Sequence, residues 1–253
     1  MKLGLIGAGN MASALARGIG EPVLVHDVDE TKARALAEAL GGEAVSSNAE
    51  LAERADALVL CHKPKQLEEV AAEVGTARPR VVISILGATT TERISAAYPD
   101  ASIYRFIPNI NTEVRRGVLC YVPGPRASDG PEDEILALMG RAGAVIPLHD
   151  EPLIEPAMAL MSCGPAFMAL VAESFAEAGA AHGLDPADAM RMVVETMGGT
   201  ADYLAKHDYD GPALRTRVAT PGGMTEKGLI TLEERGLPDV CRAAVDTVVE
   251  ATR

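Results

Sequence analysis

The stretch from Leu3 to Ala14, LGLIGAGNMASA, decides the fold of the first part of this chain. The run Leu3–Ile6 predicts a strand, and two glycines and an alanine follow it with the spacing G-x-G-x-x-G/A. In that pattern the first glycine allows a tight turn, the second lets a pyrophosphate approach the backbone, and the third small residue keeps the next helix close to the sheet. The start of that helix presents free N–H groups to phosphate. The pattern therefore predicts a dinucleotide site at Gly7, Ala8, Gly9, Asn10 and Met11.

An acidic residue at the end of the second predicted strand supports this interpretation. Asp27 lies twenty residues after Gly7, which matches the usual spacing of a carboxylate that binds the adenosine ribose. Such a carboxylate accepts hydrogen bonds from both ribose hydroxyls and repels a 2′-phosphate. We therefore expect NADH or NADPH as the cofactor, with NADH favoured. Lys32 and Arg34 could reach back toward a phosphate, although solvated helix charges explain them as well.

The remaining pattern divides the chain in two. In the first part, apolar runs typical of strands alternate with helical patterns, which predicts a mostly parallel sheet covered by helices. The predicted strands are Leu3–Ile6, Val23–His26, Ala57–Cys61, Val81–Leu86, Ser102–Ile107, Val118–Val122 and Ala144–Leu148. The rest has helical spacing only, with helix starts expected at Asp185-Pro186 and Thr220-Pro221. We thus expect an α/β Rossmann-like dinucleotide-binding domain over 1–150 and an all-helical dimerisation and substrate domain over 151–253.

Composition narrows the class of protein. The 253 residues carry a formal net charge of −13, which disfavours nucleic acid and anionic lipid as partners. The four cysteines lie far apart with no CxxC, so we expect reduced thiols, no metal and a cytoplasmic location. We also expect no signal peptide and no apolar run long enough to span a membrane. Because a small helical domain has a limited core, we expect a homodimer.

Several separated motifs carry a specific resemblance to the pyrroline-5-carboxylate reductase family along essentially the whole chain. Each is similar to a family pattern: GxGNMxxA, a single asparagine, AVKP, VSIxAG, RxMPN, GPAY and SPGGTTxxGL. In this chain they stand at Gly7–Ala14, Asn48, Lys63-Pro64, Ser84–Gly87, Arg105–Asn109, Gly164–Phe167 and Thr220–Leu229. The last is the most specific, because few unrelated families place PGG-x-T in a helical domain.

The resemblance implies a fold, a reaction and a set of site residues. It implies a helical domain that interlocks with its mate in a dimer, a site between the two domains, and hydride transfer from NAD(P)H to the imine carbon of 1-pyrroline-5-carboxylate to give L-proline. Whether dimers stack into larger rings stays open. The implied catalytic residues are Thr225, placed near the ring nitrogen, and Lys63, which alternatively is a solvated loop lysine. The implied cofactor contacts beyond the glycine motif are Asn48, Lys63, Pro64 and Asn109, and the implied substrate contacts are Thr220, Gly222, Gly223, Met224 and Thr225.

The chain also departs from the family pattern around the expected substrate pocket. The departures are His62, Ile110-Asn111, Cys163, Phe167 and Glu226-Lys227. They leave two alternatives: a reductase of a different cyclic imino acid, or a nicotinamide-nucleotide-binding dimer without catalysis. A 3-hydroxyacid dehydrogenase is disfavoured, because that class needs an inter-domain lysine and this chain has none between Lys65 and Lys206. His62 is either an acid/base group or, as we favour, a partly buried structural histidine.

Overall fold

The computed structural model describes residues 1–251, which form two compact units, Met1–Pro165 and Ala166–Ala251. The domain boundary that the sequence predicts after residue 150 stays a prediction. In the structure, residues 151–165 belong to the first unit. Ile154 and Met161 join a buried apolar cluster with side chains of the sheet, and Arg105 Nη1 pairs with Glu151 Oε1 at 2.6 Å.

An eight-stranded sheet forms the centre of the first unit. Its strands are β1 (Leu3–Ile6), β2 (Val23–His26), β3 (Glu43–Ala44), β4 (Ala57–Leu60), β5 (Val81–Ser84), β6 (Ser102–Pro108), β7 (Gly117–Pro123) and β8 (Gly143–Pro147). The spatial order is β3-β2-β1-β4-β5-β6-β7-β8, and every pair is parallel except β6 with β7. The predicted, mostly parallel sheet is therefore confirmed.

Helices cover both faces of this sheet. They are α1 (Asn10–Ile19), α2 (Glu30–Ala39), α3 (Asn48–Arg54), α4 (Leu67–Val74), α5 (Thr91–Ala97), α6 (Glu132–Met139) and α7 (Ile154–Met161). Successive strand residues enter opposite cores, as the two-residue period of a strand requires. Leu3 and Leu5 belong to one apolar cluster, whereas Ile6 belongs to the other. Because both faces of the sheet are buried, these strands consist of nearly continuous runs of apolar residues.

The second unit is helical throughout the described residues. Its helices are α8 (Gly164–Ala181), α9 (Pro186–Lys206), α10 (Gly211–Val218), α11 (Met224–Glu234) and α12 (Leu237–Ala251). Asp185 caps α9 by accepting the backbone N–H groups of Ala187 and Asp188, as its position before a proline predicts. The helix start predicted at Thr220-Pro221 is wrong. Gly222 has a φ of +75°, so the chain makes a turn there and α11 begins only behind Gly223.

One helical stretch corrects a further expectation. Glu151–Ala181 is long and apolar enough to cross a membrane by length and composition, although the sequence pattern indicated no run of that kind. The stretch is weak evidence for a membrane span, because a core helix of a soluble protein passes the same test. Its exposed apolar side chains, such as Leu170 and Phe175, equally suit a contact with another polypeptide.

Candidate dinucleotide and substrate sites

The carboxyl ends of β1, β2 and β4 meet at one edge of the sheet, and the glycine turn lies there. Gly7 follows β1, donates its N–H to His26 O at 2.8 Å and has a φ of +109°. A Cβ at this position would lie 2.9 Å from the carbonyl carbon and oxygen of Cys61, the residue after β4. Only glycine fits both the φ and the contact, so Gly7 performs the predicted tight turn.

The second glycine of the turn leaves space in front of the helix. Gly9 occupies the N-cap of α1 with a φ of −71°, and a Cβ there would meet no heavy atom of residues 1–251 within 4 Å. Glycine has no capping side chain, and the first residues of α1, Asn10 and Met11, are uncharged. The backbone N–H groups at the start of α1 are thus available to an anion. This arrangement fits a pyrophosphate.

Asp27 holds the glycine turn by hydrogen bonds. Its Oδ2 accepts the N–H of Ala8 at 2.7 Å, and its Oδ1 accepts the N–H of Asp29 at 2.8 Å. Each carboxylate oxygen has a further lone pair, so the side chain can still accept a ribose hydroxyl. The sequence pattern assigned Asp27 to the ribose alone and missed its support of the turn.

A cavity of about 540 Å³ adjoins Asp27. Its lining residues are His26, Asp27, Val28, Glu30, Ala33, Arg34, Ala44, Val45 and Ser46. The two cations considered for a 2′-phosphate are engaged with acids of their own helix start: Arg34 pairs with Glu30 at 2.5 Å and Lys32 with Asp29 at 3.4 Å. The volume is of the size of small-molecule sites, and the place beside Asp27 suits the adenosine half of a dinucleotide.

Asn48 and Lys63, both expected to contact the cofactor, differ strongly in exposure. Asn48 is the first residue of α3 and only 5% exposed; its Nδ2 donates to Glu73 Oε2 at 2.5 Å. Its Oδ1 is buried and has no hydrogen-bond partner among residues 1–251. Lys63 is exposed and precedes a short 3-10 turn that begins at Pro64. The sequence pattern did not single out Glu73, because its partner lies on a different helix.

His62 lies between β4 and Lys63, at the same edge of the sheet. Its Nδ1 is 3.0 Å from Lys63 O, and its Nε2 is buried without a partner among the described residues. Burial lowers the pKa of His62, and the hydrogen bond to Lys63 and the charge of Glu73 oppose that shift. Burial also raises the pKa of the neighbouring Cys61 thiol, which keeps that group protonated.

Both polar atoms of the Asn109 side-chain amide form hydrogen bonds within the first unit. Its Nδ2 donates to Met161 O at 2.9 Å, and its Oδ1 accepts the N–H of Val118 at 3.1 Å. The side chain is 6% exposed and ties the end of β6 to the start of β7 and the end of α7. These contacts assign Asn109 a structural task, and its contact with the nicotinamide side stays a prediction.

The expected substrate residues of the second unit lie together in one turn. Gly223 N–H donates to Thr220 O at 2.8 Å, and a Cβ on Gly223 would lie 2.5 Å from Thr220 Oγ1. Behind the turn, Met224 and Thr225 open α11, and both are exposed. The turn therefore combines backbone N–H groups at a helix start with a threonine hydroxyl.

Glu226, which in the sequence stands out only as a departure from the family pattern, forms a hydrogen bond with the turn. Its Oε2 accepts the N–H of Gly222 at 2.6 Å, so a carboxylate of the chain occupies one donor of the turn. The spacing could have predicted this contact. Glu226 lies three residues after the N-cap residue Gly223, and an acid at that position can accept backbone N–H groups before the helix, as in a capping box.

Two family models match different parts of the chain. The one described as pyrroline-5-carboxylate reductase dimerisation matches residues 151–253, and the one described as NADP oxidoreductase coenzyme F420-dependent matches residues 2–87. The first match begins where the sequence pattern predicts the second domain. The two matches agree with the Rossmann-like and helical parts of the fold.

Individual relatives match over nearly the full length. The pyrroline-5-carboxylate reductases of Treponema pallidum and Methanosarcina acetivorans are each 30% identical, covering 94% and 93% of this chain and 94% and 91% of the relatives. The solved structure of such a reductase from Coxiella burnetii has a TM-score of 0.88 at 27% identity, covering 99% of this chain and 96% of that chain. The Plasmodium falciparum pyrroline carboxylate reductase, solved with NADP bound, has a TM-score of 0.83 at 26% identity, covering 100% and 97%.

Proposed function

Because this chain belongs to the pyrroline-5-carboxylate reductase family, we propose that it reduces 1-pyrroline-5-carboxylate to L-proline with a nicotinamide nucleotide. The observation that carries this proposal is the turn from Thr220 to Thr225. It places backbone N–H groups next to the exposed Thr225 hydroxyl. A cyclic imino acid has a carboxylate, which the backbone N–H groups can bind, and a ring nitrogen, which can form a hydrogen bond with the Thr225 hydroxyl.

The first unit would hold the cofactor. The backbone from Gly7 to Met11 and the start of α1 would bind the pyrophosphate, and Asp27 the adenosine ribose. When bound, the cofactor supplies the hydride from its nicotinamide ring. We propose NADH over NADPH, because acidic side chains line the cavity beside Asp27 or pair with the cations near it. Asp29 forms an ion pair with Lys32, and Glu30 forms one with Arg34.

The second unit would orient the substrate. Hydride addition at the imine carbon moves the C=N electron pair to nitrogen, which takes up a proton and becomes the secondary amine of proline. The Thr225 hydroxyl can hydrogen-bond to that nitrogen, while the N–H groups of Met224 and Thr225 at the start of α11 favour the carboxylate, joined by that of Gly222 when Glu226 releases it. Lys63, exposed beside β4, would help to position the cofactor or the substrate.

The second unit also suits assembly with another copy. Among the residues of this unit that the structure describes, the buried apolar side chains are the alanines Ala172, Ala176 and Ala189, whereas many larger ones are exposed. The exposed set includes Met168, Leu170, Phe175, Met192, Val194, Ile230 and Val240. Burying such side chains is favourable by roughly 25 cal/mol per Å². We propose a homodimer through this unit, with rings of dimers as a further state, and a cytoplasmic location that agrees with four free cysteines.

The experiment measures nicotinamide absorbance with purified protein, 1-pyrroline-5-carboxylate, and NADH or NADPH in parallel. We expect oxidation that is faster with NADH and that falls at least tenfold in Thr225→Ala. The matched control is Thr231→Ala in the same helix, whose hydroxyl donates to Lys227 O at 3.0 Å and should not matter.

Other outcomes separate the alternatives. Oxidation only with a larger cyclic imino acid would replace the substrate but keep the reaction class. Measurable nucleotide binding without oxidation of either nucleotide by any cyclic imine would contradict the reductase and favour a binding role.

A further inference from the structure

Two buried acceptor atoms beside the glycine turn have no partner among residues 1–251. They are Asn48 Oδ1 and His62 Nε2. Asn48 is 95% buried, and its amide nitrogen donates to Glu73 Oε2 at 2.5 Å. The charge of Glu73 also acts on His62. Since buried polar atoms are nearly always hydrogen-bonded, two such atoms around one carboxylate point to a ligand that binds there.

The cluster of Asn48, His62 and Glu73 borders the proposed pyrophosphate turn. The backbone nitrogen of His62 lies 3.2 Å from the position that a Cβ on Gly7 would take. His62 follows β4, the neighbour of β1 in the sheet, and Asn48 opens α3. The unpartnered atoms are thus next to the edge along which a dinucleotide lies in this fold.

The hydrogen-bond partners fix the chemistry of these atoms. Lys63 O can only accept, so His62 Nδ1 carries a hydrogen and, in the neutral ring, Nε2 is an acceptor. The Glu73 carboxylate can only accept as well, which turns Asn48 Nδ2 toward it and leaves Oδ1 as an acceptor. A patch made of acceptors requires a donor from the ligand. Phosphate oxygens cannot supply one, whereas ribose hydroxyls can.

We propose that His62 is a cofactor-positioning residue whose Nε2 accepts a hydrogen bond from one hydroxyl of a ribose of the nicotinamide dinucleotide, while Asn48 Oδ1 accepts from the other hydroxyl of the same ribose. The proposal rests on the cofactor use proposed above. The family pattern AVKP, which the chain resembles at this segment, has a valine at the place of His62, and a valine side chain cannot accept a hydrogen bond. The contact of His62 is therefore a feature of this chain, and it adds an acceptor at the sheet edge beside the turn that binds the pyrophosphate.

Binding measured without any imine tests the proposal. The dissociation constant of NADH is determined by calorimetry for the full-length wild type, His62→Val, His62→Gln and the control His149→Val, an exposed histidine of the same unit. We expect His62→Val to weaken binding about three- to tenfold, the loss of one hydrogen bond. His62→Gln should regain part of it, because its amide oxygen accepts, and His149→Val should bind as the wild type does. Thermal unfolding confirms that each variant is folded.

Titration with ADP distinguishes the two riboses of the dinucleotide. A weaker ADP complex in His62→Val identifies the adenosine ribose, and an unchanged ADP complex with weaker NADH identifies the nicotinamide ribose. Equal NADH affinity of the wild type and folded His62→Val would overturn the proposal and leave water as the partner of Nε2. A wild type that binds NADH but reduces no imine would overturn the proposed reaction alone.

Discussion

The carboxylate of Asp27 accepts the backbone N–H of Ala8 at 2.7 Å, which ties the end of β2 to the glycine turn after β1. Its other oxygen accepts the N–H of Asp29 at the start of α2. One side chain therefore shapes the turn proposed for the pyrophosphate and lines the cavity proposed for adenosine. We therefore expect cofactor affinity and turn geometry to be coupled through this residue.

The substitution Asp27→Asn tests that coupling. Asparagine keeps only one acceptor oxygen, so the N–H of either Ala8 or Asp29 loses its charged acceptor. Hydrogen bonds to charged groups contribute about 1.5–3 kcal/mol. We expect the dissociation constants of NADH and NADPH to rise tenfold or more, with NADH affected more. Asp56→Asn is the control, because Asp56 accepts the N–H of Lys2 at the same 2.7 Å at the opposite edge of the sheet. Equal losses in both variants would contradict a specific role of Asp27.

The two glycines of the turn should respond differently to alanine. Gly7→Ala places a Cβ at a φ of +109° and 2.9 Å from the backbone of Cys61, so we expect it to lower the free energy of unfolding by about 2–4 kcal/mol. Gly9→Ala meets no atom of the described residues and should change stability by less than about 1 kcal/mol. It should nevertheless weaken NADH binding, because the methyl group would enter the space of the pyrophosphate. Denaturant unfolding and calorimetry measure both, and a stable Gly7→Ala would refute the prediction.

The success of prediction from sequence depended on the length and repetition of each pattern. Strands such as Val81–Ser84 are buried on both faces and rich in β-branched residues, so their composition identified them as strands. The strand Glu43–Ala44 was missed, because two residues are too few to establish a period. The helix Asn48–Arg54 was missed, because only Leu51 and Ala52 supply buried apolar side chains there. In the candidate site, spacing singled out Gly7 and Asp27, which the structure places at the same edge of the sheet. The contact of Asn48 with Glu73 depends on tertiary packing of two helices, which spacing does not encode.

Asn109 should be needed for stability more than for catalysis. Replacing it by alanine leaves Met161 O and Val118 N without their partners in a buried place, at a cost of about 1–3 kcal/mol. We expect Asn109→Ala to lower the free energy of unfolding by that amount and Asn111→Ala, which is exposed, to leave it nearly unchanged. Chemical denaturation checks this. A variant of unchanged stability with weaker NADH binding would instead favour the predicted nicotinamide contact.

Glu50 predicts a dependence of stability on pH. The hydroxyl and N–H of Ser46, followed by Arg54, lower the pKa of Glu50 from 4.5 to about 2. Because the folded pKa lies below the unfolded one, the stabilisation is present above about pH 4.5 and is lost as the pH falls toward 2. The stability difference between the wild type and Glu50→Gln should therefore shrink over this range. Glu53→Gln on the same helix controls for the loss of one charge, and a difference that stays constant with pH would contradict the shift.

Glu226 should compete with the substrate for the turn before α11. Its carboxylate accepts Gly222 N–H at 2.6 Å, and the carboxylate of the imino acid is proposed to bind the same group of donors. Glu226→Ala frees that N–H and removes a like charge, so we expect the KM for 1-pyrroline-5-carboxylate to fall about three- to tenfold. The same change removes a helix cap and should lower the free energy of unfolding by about 0.5–1 kcal/mol. Glu234→Ala at the other end of α11 is the control for charge, and steady-state kinetics with thermal unfolding measure both effects. A KM that rises in Glu226→Ala would show instead that the carboxylate holds the turn in the shape that the substrate requires.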